Sequence, residues 1–134
     1  MNARAREILL FGVAGTLGFV VDASVVTMLR SWSGADLVSA KAAGFTLAVT
    51  VTWALNRRLA FAGAPRRHPL RQWGHYVWTN GLGGLVNNGT YLVAVFSVDA
   101  LARQPALAVA LGSLAGMFFN YLAARRWVFR SNSR

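Results

Sequence analysis

What limits the folds open to this chain is a fourfold recurrence: long stretches nearly empty of charge, parted by two short loops, Arg30–Asp36 and Asp99–Arg103, and by one longer loop rich in arginine. The stretches run Ile8–Leu29, Leu37–Leu55, Tyr76–Val98 and Gln104–Ala123, and a helix needs about 20 mostly apolar residues to cross a bilayer. Transmembrane strands would be shorter and would alternate in polarity, a pattern the sequence lacks. Composition agrees, because 55% hydrophobic residues against 13% charged ones in 134 residues is not the balance of a soluble domain. The expected fold is an all-α membrane protein of four transmembrane helices, one integral membrane domain over residues 1–134. The first stretch is too long for a signal-peptide core, lacks a small-residue cleavage site and carries Asp22, so it reads as a retained span.

The net charge of +10 is placed between the apolar stretches rather than on a face of a polar body, so a nucleic-acid partner is not expected. Arg4 and Arg6 precede the first stretch. Arg57, Arg58, Arg66, Arg67 and Arg71 fill the long loop Arg57–His75, and Arg125, Arg126, Arg130 and Arg134 follow the fourth stretch. By the positive-inside rule both termini and the long loop face the cytoplasm. Trp73, Tyr76, Trp78, Trp127 and Phe129 read as interfacial anchors, and His68 and His75 as bystanders at that interface. The sequence contains no cysteine, which excludes disulfides and thiolate metal sites.

Two segments repeat. At a spacing of 65 residues Arg6 matches Arg71, Leu17 matches Leu82, Gly18 matches Gly83 and Asp22 matches Asn87. At a spacing of 68, three residues having been added in the second hairpin, Thr52 matches Asn120 and "RRLAF" matches "RRWVF". The chain thus reads as two copies of one helical hairpin, about 6–61 and 71–129. Each copy starts and ends on the same side, so the repeats are parallel and imply a pseudo-twofold axis along the membrane normal. Such an axis favours a site or path between the halves.

"FGVAGTLGFVVD", "NRRLAF" and "FFNYLAARRWVF" resemble the GtrA-like family of small four-helix bacterial membrane proteins, whose second and fourth spans typically end in Asn-x-x-x-Asn-Arg-Arg-Trp-x-Phe. The likeness extends over nearly the whole chain. This sequence splits the asparagine pair, with Thr52 and Asn56 in the second span and Asn120 and Ala124 in the fourth. The resemblance implies a role in cell-surface polysaccharide synthesis: moving a polyprenyl-phosphate-linked sugar across the bacterial cytoplasmic membrane, beside a membrane glycosyltransferase that makes it. The partners implied are that lipid-linked sugar, membrane lipid and the glycosyltransferase.

Each stretch also carries small and polar residues at helical spacing: Gly15, Gly18 and Asp22; Lys41, Gly44, Ala48, Thr52 and Asn56; Asn80, Gly84, Asn87, Asn88 and Tyr91; Gly112, Gly116 and Asn120. Small residues let membrane helices approach closely, which explains the glycines by packing. At 1.5 Å per residue Asp22 lies about 21 Å in from Ile8, and Lys41 about 24 Å outward from Arg57, so the two stand at similar depth. An unpaired carboxylate there is expensive, and an Asp22–Lys41 ion pair is the first expectation; the plain alternative is a lysine that snorkels to the outer interface. Asp22, Lys41, Thr52, Asn56, Asn80, Asn87, Asn88 and Asn120 form the candidate polar path. Arg57, Arg58, Arg125 and Arg126 are candidate phosphate ligands, since guanidinium groups grip phosphate by paired hydrogen bonds and helix C-termini favour cations. Topology and attraction to anionic headgroups account for the same arginines more simply.

No metal-ligand set, nucleophile elbow or Walker-type loop is present, and "GLGGLV" from Gly81 lies in an apolar stretch with no strand before it. No cofactor, no metal and no enzymatic reaction are expected. Three functions compete: a lipid-linked sugar translocase, an adaptor that recruits a glycosyltransferase, and a small proton-coupled exporter of cations. A wide path through one bundle of this size is doubtful, which favours a groove open to lipid or a homo-oligomer.

Overall fold

The computed structural model describes residues 2–65 and 67–130; Arg66 and Arg134 of the basic segments lie outside the described residues. Among the described residues all regular structure is helical. The chain divides into two compact units, one ending at Trp73 and the other spanning Gly74–Arg130, and each contains one helical hairpin.

The first hairpin is α1 (Ala3–Trp32) and α2 (Leu37–Leu55). Asn2 caps α1, its side-chain oxygen accepting the Ala5 N–H at 2.8 Å. Past Trp32 the chain reverses through Gly34, whose φ of +63° suits a residue without a Cβ. Asp36 then caps α2, accepting the N–H groups of Val38 and Ser39 at 3.0 Å each. Hydrogen bonds from Ser39, its side chain first and then its backbone, hold the Asp36 carboxyl below its ordinary range. α2 occupies the expected second stretch end to end and passes into a π-helical turn at Asn56–Ala60.

The second hairpin is α3 (Pro69–Ser97) and α5 (Pro105–Ala123), with a short α4 (Asp99–Arg103) between them. α5 also ends in a π-helical turn, Ala124–Val128. The structure shortens the expected long basic loop to 61–68, because helix takes up both its ends. Pro69 opens α3, where a missing N–H costs nothing.

Three segments among the described residues are long and apolar enough to cross a membrane: Ala3–Trp32, Val38–Ala60 and Leu107–Val128. α3 has comparable length, 29 residues, but the adjacent Asn87 and Asn88 reduce its hydropathy. Side-chain placement fits a lipid solvent. Gly18, Ala40, Gly44, Ala48, Ala108, Gly112 and Gly116 are buried, whereas Phe19, Leu85, Phe96 and Phe118 are exposed. A soluble bundle would do the reverse; in a membrane, small residues bring backbones together and large apolar ones meet the lipid tails.

The two π turns explain the repeated Arg-Arg-x-x-Phe. In each turn an N–H bonds to the carbonyl five residues earlier: Phe61 to Asn56 at 2.8 Å, and Phe129 to Ala124 at 2.8 Å. Five residues of α-helix would leave such a pair about 140° apart around the axis. The wider turn brings them onto one face, and all four residues are buried. Phe61 meets Phe11 edge to face at 6.2 Å between ring centroids, and Phe129 meets Tyr76 in the same way at 6.0 Å. Phe11 and Tyr76 stand 65 residues apart and Phe61 and Phe129 stand 68 apart, so the duplication read from sequence recurs as a duplicated contact.

Candidate functional site

In the first hairpin α1 lies so close to α2 that a Cβ on Gly18 would collide with the Thr52 methyl. The Thr52 hydroxyl donates to the Val49 carbonyl at 3.1 Å, which satisfies it within its own helix. One turn further along α1, Asp22 packs against Gly44: a Cβ there would stand 2.5 Å from Asp22 Oδ1 and 2.9 Å from the Val26 side chain. Asp22 Oδ2 pairs with Lys41 Nζ. The carboxylate side chain is 20% exposed and the lysine side chain 60%, so the cation lies at the hairpin surface while the acid is drawn inward. Of the two accounts of Lys41, the geometry is that of the pair.

The second hairpin repeats the scaffold with different chemistry. A Cβ on Gly83 would overlap the Asn120 side-chain amide, as one on Gly18 would overlap Thr52. A Cβ on Gly112 would lie 2.6 Å from the Asn87 carbonyl oxygen and 2.8 Å from Asn87 Oδ1, matching Gly44 against Asp22. Gly116 is as tight, with Gly83 O 2.9 Å from the position of its Cβ. At a spacing of 68 from Lys41 stands Val109, so the second hairpin carries Asn87 and Val109 where the first carries its ion pair.

The asparagines of α3 divide. Asn87 faces α5, as the Gly112 contact shows. Asn80 and Asn88 turn their Nδ2 donors back to carbonyls of their own helix, Tyr76 O and Gly84 O, each at 2.8 Å. Asn88 is exposed, and Gly15 and Gly84 have no neighbour within 4 Å of a would-be Cβ. The structure therefore gathers Asp22, Lys41 and Thr52 in one hairpin and Asn87 and Asn120 in the other, and leaves Asn88 on the outer surface. Asn56 is buried and opens the first π turn.

At the π turns the arginines of each pair differ. Arg57 lies over the Trp53 ring, 5.4 Å from its centroid, a contact worth about 0.5–2 kcal/mol depending on desolvation. Arg125 donates from Nη1 to the Tyr121 hydroxyl at 3.1 Å. Both are half-buried, whereas Arg58 and Arg126 are exposed. Trp53 and Tyr121 were not singled out in the sequence, although a signal was there: an aromatic residue stands four places before each first arginine, at equivalent positions of the repeat. Two interfacial aromatics also have specific partners. Trp73 Nε1 donates to Thr50 Oγ1 at 3.0 Å, and Trp127 meets Phe119 edge to face at 6.2 Å.

A family model described as GtrA/DPMS, transmembrane domain, matches residues 10–129. The chain belongs to that family. No curated protein and no solved structure matches it. The match spans both hairpins and both π turns of this GtrA/DPMS domain, and with the apolar helices it makes the chain a multi-pass membrane protein. Among the described residues of the GtrA/DPMS domain no three His, Asp or Glu side chains gather into a metal-ligand set. What its geometry offers chemically is cation and amide: guanidinium groups at the π turns, and amide, hydroxyl and one ion pair along the hairpin interiors.

Proposed function

We propose that the protein moves a polyprenyl-phosphate-linked sugar across the bacterial cytoplasmic membrane, with no chemical step of its own. α3 is taken as the remaining span, giving four crossings with both termini on the cytoplasmic side. The observation that carries this reading is the repeated order along α2 and α5: a guanidinium anchored at the π turn, then a polar side chain packed against a glycine about a turn above it, Thr52 in one hairpin and Asn120 in the other. Arginine matches the phosphate, amides and hydroxyls match the sugar, and the isoprenoid tail stays in lipid. Membership of the GtrA/DPMS family supports the same substrate class.

The exporter reading needs an acid free to exchange a proton for a cation, and Lys41 already occupies Asp22. An adaptor for a glycosyltransferase would draw on the exposed basic residues and would leave the packed polar interior without a task. Mass spectrometry of lipid retained by the gently purified protein tests the proposal. A polyprenyl phosphate or its sugar conjugate, enriched over bulk phospholipid, is the expected result. Retention of bulk phospholipid alone would count against it.

A further inference from the structure

We propose that the two arginines of each doubled pair have separate tasks: within each hairpin the first, Arg57 or Arg125, grips a lipid phosphate, whereas the second, Arg58 or Arg126, meets the general headgroup layer and fixes topology. This rests on the lipid-linked sugar reading and refines it, because the sequence alone treats the four arginines as alike.

Three observations separate them. Burial is the first: Arg57 and Arg125 are half-buried, and Arg58 and Arg126 are exposed. Anchoring is the second. Arg57 is held by its cation–π contact with Trp53, and Arg125 by its hydrogen bond to Tyr121. The third is repetition, since Trp53 and Tyr121 occupy equivalent positions and hold the equivalent arginine by different chemistry, a π face in one case and a hydroxyl in the other. What the two hairpins share is thus the placement of the first guanidinium rather than one particular bond.

Placement decides the energetics of phosphate binding. A guanidinium already fixed on an aromatic neighbour loses little side-chain freedom when it binds, and partial burial strengthens its charge-assisted hydrogen bonds. The contact with Trp53 is made to a ring face, which accepts no conventional hydrogen bond, and a guanidinium carries five N–H donors, enough for a two-pronged contact with phosphate. An exposed arginine must be ordered on binding and is screened by salt. Arg58 and Arg126 therefore suit diffuse contact with anionic headgroups.

The test uses the full chain in nanodiscs of neutral phosphatidylcholine, titrated with undecaprenyl phosphate and, separately, with phosphatidylglycerol. Arginine-to-lysine variants keep the charge that sets topology and remove the planar fork. Arg57→Lys and Arg125→Lys are expected to weaken undecaprenyl phosphate binding about ten-fold each, whereas Arg58→Lys and Arg126→Lys stay within about three-fold of wild type. Arg58→Gln and Arg126→Gln are expected to reduce phosphatidylglycerol binding instead. Equal losses of undecaprenyl phosphate binding at all four positions would overturn the division of labour while leaving the substrate reading in place. Wild-type protein that binds undecaprenyl phosphate no better than phosphatidylglycerol would overturn both. Should a variant at Arg125 fail to fold, Tyr121→Phe, which removes only the anchoring hydroxyl, is expected to weaken undecaprenyl phosphate binding without changing phosphatidylglycerol binding; an unchanged Tyr121→Phe would refute the anchoring claim.

Discussion

The backbone carbonyl of Asn87 stands where the side chain of Gly112 would be: a Cβ on Gly112 would lie 2.6 Å from that oxygen. The neighbour is backbone, so it cannot swing aside, and α3 and α5 would have to separate. Gly112→Ala is expected to destabilise the second hairpin by about 1–3 kcal/mol, the usual cost of overpacking. Gly84→Ala, which meets nothing within 4 Å, is expected to be neutral or slightly stabilising. Thermal unfolding in detergent compares them, and equal midpoints for the two variants would show that the close approach is not what holds the hairpin.

The Asp22–Lys41 pair predicts a particular non-additivity. Lys41→Val alone leaves the carboxylate inward-facing without its cation, and it is expected to be the worst of the series. Asp22→Asn with Lys41→Val gives the first hairpin the residues that Asn87 and Val109 supply in the second, and stability is expected to recover most of the loss. Unfolding midpoints of the two single variants and the double variant make the comparison. A double variant no more stable than Lys41→Val would mean that the pair does not act as a unit.

The edge-to-face contact of Phe11 with Phe61 should couple the start of the first hairpin to its π turn. A double-mutant cycle with Phe11→Leu and Phe61→Leu is expected to give a coupling of about 0.5–1.5 kcal/mol. The cycle on Tyr76→Leu and Phe129→Leu should give a similar value, since the contact is repeated. Strict additivity in both cycles would deny the π turns their anchoring role.

Much of this was legible in the sequence because the physics of a bilayer is strict. About twenty apolar residues and a bias in arginine placement define α1, α2 and α5, and α2 falls on the expected residues, Leu37–Leu55. The duplication was legible because small and polar residues in membrane helices have few alternatives to an interior position, so the approach of Gly18 to Thr52 recurs as that of Gly83 to Asn120 although three residues were added between them. The π turns were not. A repeated Arg-Arg-x-x-Phe has no hydrophobic period that separates five residues per hydrogen-bonded turn from four, and the hydrogen bonds from Phe61 to Asn56 and from Phe129 to Ala124 reveal it. Helical spacing puts both Asn87 and Asn88 on the polar stripe of α3, but neighbours in a helix point about 100° apart, and the structure leaves Asn88 exposed.

Asp36 supplies a pH dependence outside the membrane spans. Its carboxyl is held below 3.8 by bonds from Ser39 and Val38, so its capping contribution is fully present above that value and is lost as pH falls through the lower, folded-state one. Hydrogen exchange at the Val38 and Ser39 amides, corrected for intrinsic rates, should show protection that declines at a lower pH than an ordinary aspartate would give. Asp36→Asn, which caps without titrating, should abolish that decline. A decline that persists in Asp36→Asn would assign it to another group.

Translocation itself is measured in sealed proteoliposomes. A polyprenyl-phosphate-linked sugar is placed in both leaflets, and a membrane-impermeant reagent that modifies the sugar is added outside. Wild-type protein is expected to render the inner-leaflet pool accessible well ahead of protein-free vesicles, and Arg125→Ala to return the rate to the protein-free level while remaining folded. An inner pool that stays protected with wild-type protein would rule translocation out.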